Sequence, residues 1–181
     1  MKFLIASDVH GSLSATEKII LTMQEEKADE LILLGDVYYH GPRNPLPDRY
    51  SPMEVAKLLN KTERLTVIHG NCDSDVDGMI SSFPFLDSVL LFHDKIKIFL
   101  THGHIFNEDN VPAGCDVLIY GHFHTGFIKE KDDIVLANPG SVALPKNGTE
   151  KSYLIMEDGV LTLKRLDDGA ILCQKELLHA K

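Results

Sequence analysis

Five short apolar runs in this chain end alike, each breaking off into a polar cluster that contains Asp, Asn or His. FLIAS delivers Asp8 and His10, LILLG delivers Asp36, LTVIHG delivers Asn71, KIFLT delivers His102, and VLIYG delivers His122 and His124. Runs this short and this apolar are the signature of buried strands, too brief for membrane spans. In open α/β sheets, ligands gather outside the carboxyl ends of the strands. The repetition therefore predicts a sheet-based fold with seven potential metal ligands along one edge.

The rest of the chain supplies the connections. KFLIAS reads as a buried strand, and SATEKIILTMQEEK as a helix with Ser14 as N-cap and Glu17 three residues on. ELILLG is a second strand, SPMEVAKLLNK a second helix with proline in its first turn, and RLTVIHG a third strand. This β-α-β-α-β order predicts a parallel sheet covered by helices. The second half changes character. SVLLFHD and IKIFLTHG flank Asp94 and Lys95 as a hairpin, FIKEKDDIVLA forms another, and SYLIMEDGVLTLKRL a third that turns at Asp158 and Gly159. A parallel half followed by hairpins predicts an α/β (α+β) fold: two mixed sheets packed face to face with helices outside. With 181 residues, no linker and no internal repeat, the chain is expected to be one domain over residues 1–181. Its one long loop, 38–52, is expected to be functional.

Composition narrows the classes. Apolar residues make up 44% and charged residues 25%, as in ordinary soluble proteins. Cys72, Cys115 and Cys173 are an odd, widely spaced set, which argues for a reducing compartment, by default the cytoplasm. The start, MKFLIASDVHGS, lacks the shape of a signal peptide, and no apolar stretch is long enough to span a membrane. A formal charge of -9 disfavours a nucleic-acid polymer as partner. An anionic substrate then needs a local positive feature such as a metal ion.

Spacing suggests how the ligands meet. In extended chain, residues i and i+2 point the same way, so Asp8 and His10 are expected to reach one ion and His122 and His124 one site, with Val9 and Phe123 turned elsewhere. Gly35, Gly70 and Gly121 precede ligand positions, and Gly11 and Gly103 follow them, which suits tight turns.

The ordered set DVH, GD, GNCD, HG and GHFH resembles the calcineurin-like metallophosphoesterase superfamily. The segments SDVHGS, GDVYYHGPRN, GNCDS, LTHGH, YGHFH and NPGSV resemble its branch of small bacterial phosphodiesterases, over nearly the whole chain. The resemblance implies a four-layer αββα sandwich and a dinuclear metal centre. Asp8, His10, Asp36 and His124 would bind one ion; Asn71, His102, His122 and a shared Asp36 would bind the other. Asp36 suits the bridging position because a carboxylate offers two oxygens with spare lone pairs. The donors are all nitrogen and oxygen, which suits Mn, Fe, Zn, Co or Ni, and the resemblance favours Mn2+. Two divalent ions against two carboxylates and a bridging hydroxide leave a surplus of about one positive charge, which matches a phosphodiester monoanion. The implied activity is phosphodiester hydrolysis of a small molecule. Asp36, Asn71, Cys72 and His102 are the catalytic candidates, and Asn71, Cys72 and Arg43 the substrate contacts.

The chain departs from the wider superfamily at Cys72, where many members carry histidine. A thiol is a weak hydrogen-bond donor, so diesters with good leaving groups are expected to react better than alkyl ones. The alternative for Cys72 is a small residue filling a turn. Asp73 is expected to orient its neighbours. Arg43 offers a fork for phosphate, or a surface salt bridge; His40 is a further candidate for positive charge. His69 reads as a core or supporting residue, His104 as either a substrate contact or solvent-facing, and His93 and His179 as surface residues. Asn138 to Ser141, NPGS, read as a turn that the resemblance puts near the site. Alternatives are a phosphomonoesterase or pyrophosphatase on the same site, or a protein-binding scaffold of the same fold. A homo-oligomer, dimer or tetramer, is compatible with all three.

Overall fold

The computed structural model describes residues 1–177, so the expectation for His179 lies outside the described residues. The first sheet has seven strands: β1 Phe3–Ala6, β2 Glu30–Leu33, β3 Leu65–Ile68, β4 Phe85–Leu86, β10 Ser152–Glu157, β11 Val160–Arg165 and β12 Ile171–Glu176, in the order β12-β11-β10-β1-β2-β3-β4. Strands β1 to β4 run parallel, and β10 joins β1 antiparallel. The second sheet has the order β5-β6-β7-β9-β8, from β5 Val89–His93, β6 Ile96–Thr101, β7 Val117–Tyr120, β8 Gly126–Lys131 and β9 Ile134–Pro139. Its three inner strands β6, β7 and β9 are parallel.

Alternation along each strand builds two layers of core at once. Leu4 and Ala6 of β1, Leu31 and Leu33 of β2 and Val67 of β3 face α1 (Leu13–Glu25) and α2 (Pro52–Leu59), where Ile19, Val55 and Leu59 meet them. Their neighbours Ile5, Ile32 and Ile68 face the other way and interdigitate with Ile98, Leu100, Val117 and Ile119 of the second sheet. Burial on both faces is why these strands read as unbroken apolar runs.

The expected hairpins are present, with Asp94, Asp132, Asp133 and Asp158 all at positive φ in their turns, as tight two-residue connections require. Three details differ from expectation. Helix α1 is capped by Ser12, whose hydroxyl accepts from Ala15 N at 3.2 Å, so the helix starts before Ser14. Strands β4 and β12 extend the sheet at both edges. The outer face of the second sheet is covered by a loop: Val111 and Cys115 pack on Phe99, Leu118, Tyr120 and Leu136. Both helices lie on the seven-stranded sheet. Among the described residues no helix is long and apolar enough to cross a membrane.

Candidate metal centre

The carboxyl ends of β1, β2, β3, β6 and β7 converge, and hydrogen bonds between loops continue the sheets into the site. His10 N donates to Asp36 O at 2.8 Å and Gly11 N to Val37 O at 2.8 Å, extending the β1–β2 ladder past its last strand residue. His102 Nδ1 donates to Leu34 O at 2.6 Å, and His122 N to Asp8 Oδ2 at 3.0 Å, tying the second sheet to the first.

Two adjacent groups of candidate ligand atoms result. Asp8, His10 and His124 form one; Asp36, His102 and His122 form the other. Asp36 stands between them, Oδ1 3.4 Å from His102 Nε2 and Oδ2 3.7 Å from His10 Nε2. Asn71 Oδ1 joins the second group, 3.0 Å from His102 Nε2. Cys72 also lies within reach of His10 and Asp36, and its backbone N donates to Asp36 Oδ1 at 2.8 Å.

The two histidines of GHFH part company: His124 joins Asp8 and His10, while His122 joins His102. The reason corrects the extended-chain expectation. Asp8, His10, Asp36, His122 and His124 have φ of 57°, 50°, 54°, 65° and 56°, all left-handed. Side chains two apart therefore diverge or converge by turn geometry rather than by the pleat of a strand. Asp and His tolerate this conformation better than most residues, yet each such position costs on the order of 1 kcal/mol, and such strain collects at functional sites.

The donor set fits cations. In His10, His102 and His124, Nδ1 donates to a backbone carbonyl, of Tyr39 at 2.7 Å, Leu34 at 2.6 Å and Leu144 at 2.6 Å. Each of these bonds turns Nε2 inward, the arrangement that supporting hydrogen bonds give to metal-binding histidines. Buried Asp8 Oδ1 has no hydrogen-bond donor among the described residues. A cluster in which acceptors face acceptors is completed by divalent ions or by protons. Without ions, burial alone would lower the His102 pKa, but the Asp36 and Asp8 carboxylates more than offset it and hold it at about 9. Burial opposes the charge of Asp36 too, and His102 still keeps that carboxyl well below the usual range. Burial lowers His10 and His122.

Around the cluster, Asp73 accepts from Asp36 N, Val37 N and Gly70 N, each at 2.8 Å, and so pins the loop that carries Asp36. Gly70 has no room for a side chain, since a Cβ there would overlap Asp36. The NPGS turn supports the site: Ser141 Oγ donates to Asp8 O at 2.7 Å, and Asn138 Nδ2 to Gly121 O at 2.7 Å.

The cavity over the cluster, about 740 Å³, is lined by Asn71, Cys72, Arg43 and also by Tyr39, Phe123 and Lys146. Phe123, expected to turn elsewhere, lines the cavity instead, because the left-handed backbone at His122 and His124 breaks the strand alternation on which that expectation rested. Tyr39 and Lys146 escaped the sequence reading, the position of Lys146 just after NPGSV being the available signal. Arg43 makes no ion pair among the described residues. Burial and then Asp36 push the Cys72 thiol up to about 12, so in the metal-free site it is neutral. His40 packs edge-on between Tyr39 and Tyr50, off the cavity wall, with its buried Nδ1 unpartnered among the described residues. His104 is exposed, its ring 5.4 Å from that of His102. His69 is half-buried against Phe85, and His93 half-buried over Gly159.

The family model described as a calcineurin-like phosphoesterase superfamily domain matches residues 1–158. Phosphodiesterase YfcE of Escherichia coli strain K12 is 44% identical over 180 residues, covering 96% of this chain and 97% of its own. The solved structure of that E. coli phosphoesterase superposes with a TM-score of 0.94 at 41% identity, over 98% of this chain and 100% of its own. Vacuolar protein sorting 29 of Cryptosporidium parvum shares the fold at a TM-score of 0.65 and 20% identity, with 98% of each chain covered.

Proposed function

The chain belongs to the calcineurin-like phosphoesterase superfamily, and from that premise we propose that it is a metal-dependent phosphodiesterase working through two divalent ions. The observation that carries the reading is Asp36, one carboxylate with an oxygen toward each of two ligand groups. Asp8, His10, Asp36 and His124 hold one ion; Asp36, Asn71, His102 and His122 hold the other. Such a pair supplies a hydroxide nucleophile at neutral pH and positive charge to the phosphoryl oxygens. Mn2+ is the ion assigned, within a donor set that also accepts Zn, Fe, Co or Ni.

The chain's own groups do the rest. Carbonyl bonds at Nδ1 aim His10, His102 and His124, and Asp73 fixes the Asp36 loop. Asn71 and Cys72 contact the phosphate, and Arg43 adds a guanidinium from the 38–52 loop. A neutral Cys72 thiol is a poor proton donor to a departing alkoxide, so good leaving groups react faster.

The test is hydrolysis of bis(p-nitrophenyl) phosphate and p-nitrophenyl phosphate by protein dialysed against chelator. Mn2+ should restore activity, with the diester preferred. A second reading, monoesterase or pyrophosphatase, draws on Arg43 and Lys146, two cations in one cavity that suit a dianion; preference for the monoester would select it. A scaffold role is the weakest reading, because every ligand position is filled. The chain is read as one domain over 1–181, assembled as a homo-oligomer through its sheet edges. Three free thiols suit the cytoplasm.

A further inference from the structure

Three segments of the cavity lining together bring two aromatic rings and two cations to the ligand cluster. The 38–52 loop contributes Tyr39 and Arg43; the turn at Gly121 and the chain after Val142 contribute Phe123 and Lys146. Tyr39 is 42% exposed and Phe123 44%. Exposed rings bordering a polar cluster leave apolar surface in water that a ligand can cover.

Both rings are held in place. Tyr39 O accepts from His10 Nδ1 at 2.7 Å, and its ring meets His40 edge-on at 4.8 Å. Phe123 N donates to Gly121 O at 2.7 Å, and its ring meets His122 edge-on at 5.1 Å and Tyr120 at 5.9 Å. The cations are also tethered. Lys146 N donates to His124 O at 2.9 Å, and Asn44 Nδ2 to His40 O at 2.8 Å, closing the turn that carries Arg43. Neither cation pairs with a carboxylate among the described residues, in a chain of formal charge -9.

Resting on the phosphodiesterase reading, we infer that the substrate is a nucleoside-bearing diester of di- or trinucleotide size. The scissile phosphate sits at the ligand cluster, bases stack on Tyr39 and Phe123, and neighbouring phosphates meet Arg43 and Lys146. Rings accept any base through its π-face, and isolated cations suit single phosphates. A long polymer is disfavoured by the acidic chain, which has no basic stripe. Hydrolysis adds water across one P–O bond, its oxygen to phosphorus and a proton to the departing alcohol.

Three diesters with one leaving group separate recognition from chemistry: methyl p-nitrophenyl phosphate, thymidine 5′-(p-nitrophenyl phosphate) and the latter's 3′-phosphate, each with Mn2+-loaded protein. From methyl to thymidine, kcat/KM should rise about tenfold, the effect of one stacked base, mainly through KM. The 3′-phosphate should add a further gain of about tenfold. Tyr39→Leu or Phe123→Leu should collapse the first ratio, and Arg43→Gln or Lys146→Gln the second. Equal kcat/KM for all three diesters overturns this inference and leaves the phosphodiesterase reading standing. So do ratios that persist in all four variants. No Mn2+-dependent hydrolysis of any diester overturns the reading beneath it.

Discussion

The Nε2 atoms of His10 and His124 face each other at 3.1 Å inside the ligand cluster. Both Nδ1 protons are already committed, to Tyr39 O and Leu144 O. Asp8 Oδ1 lies 3.3 Å from His124 Nε2 and 3.7 Å from His10 Nε2, so the three lone pairs converge on one point. A cation held there would be coordinated by all three groups. Chelator-treated protein should therefore melt about 5–10 °C higher when Mn2+ is present at about a hundred times its Kd. His124→Gln should lose most of that gain. A melting temperature indifferent to millimolar Mn2+ in the unmodified chain would sink the assignment.

Asp73 organises the centre without being one of the ligands. Its two oxygens satisfy three backbone N–H groups of the Asp36 and Gly70 turns. Asparagine keeps the shape but turns an NH2 toward N–H donors. Asp73→Asn should cost about 1–3 kcal/mol in urea unfolding of the metal-free protein. Mn2+ affinity, followed by titration calorimetry, should weaken about 10–100-fold. Lost stability with unchanged affinity would make Asp73 a fold residue only.

Two glycines should behave in opposite ways. A Cβ on Gly70 would overlap Asp36, whose carboxylate lies between the two ligand groups, so Gly70→Ala should abolish most Mn2+ binding even where the protein still folds. Gly148, at φ 72°, has open space around its missing Cβ. Gly148→Ala should cost about 1–2 kcal/mol from the left-handed backbone and leave Mn2+ binding intact. Calorimetric titration of both variants checks the contrast.

What the sequence disclosed follows from how each element is stabilised. Strands β1, β2, β3, β6 and β7 are buried on both faces, so they announce themselves as apolar runs, and the polar residues that break those runs are the ones at the sheet ends. Strand β12 is an edge strand with Ile171 62% and Leu172 40% exposed, and its mixture ILCQKE carries no such signal. The left-handed backbone at Asp8, His10 and Asp36 was equally hidden, because tertiary hydrogen bonds from the neighbouring loop hold it and the residue types do not demand it. Backbone carbonyls of Tyr39 and Leu144 orient two histidines, and a carbonyl has no letter in a sequence.

The ion-pair network far from the centre gives a pH-dependent test of stability. Glu26 is the C-cap of α1, where the negative end of the helix dipole disfavours a carboxylate. It is retained there by Lys164 and the Tyr153 hydroxyl, the latter at 2.9 Å, on one oxygen and by Lys2 at 3.1 Å on the other. Burial would raise its pKa, but the lysines and the tyrosine more than offset that and hold it below the ordinary 4.5. A carboxyl with a folded-state pKa below its unfolded value stabilises the fold above the unfolded value, and that contribution is lost as pH falls through the folded one. Glu26→Gln should thus lower stability by about 1–3 kcal/mol at neutral pH. The gap to the unmodified chain should begin to close below pH 4.5 and vanish once Glu26 is protonated in the folded state. Urea unfolding of both proteins at several pH values reads this directly. A gap that stays constant on acidification would mean that Glu26 acts through packing, leaving its charge without net effect.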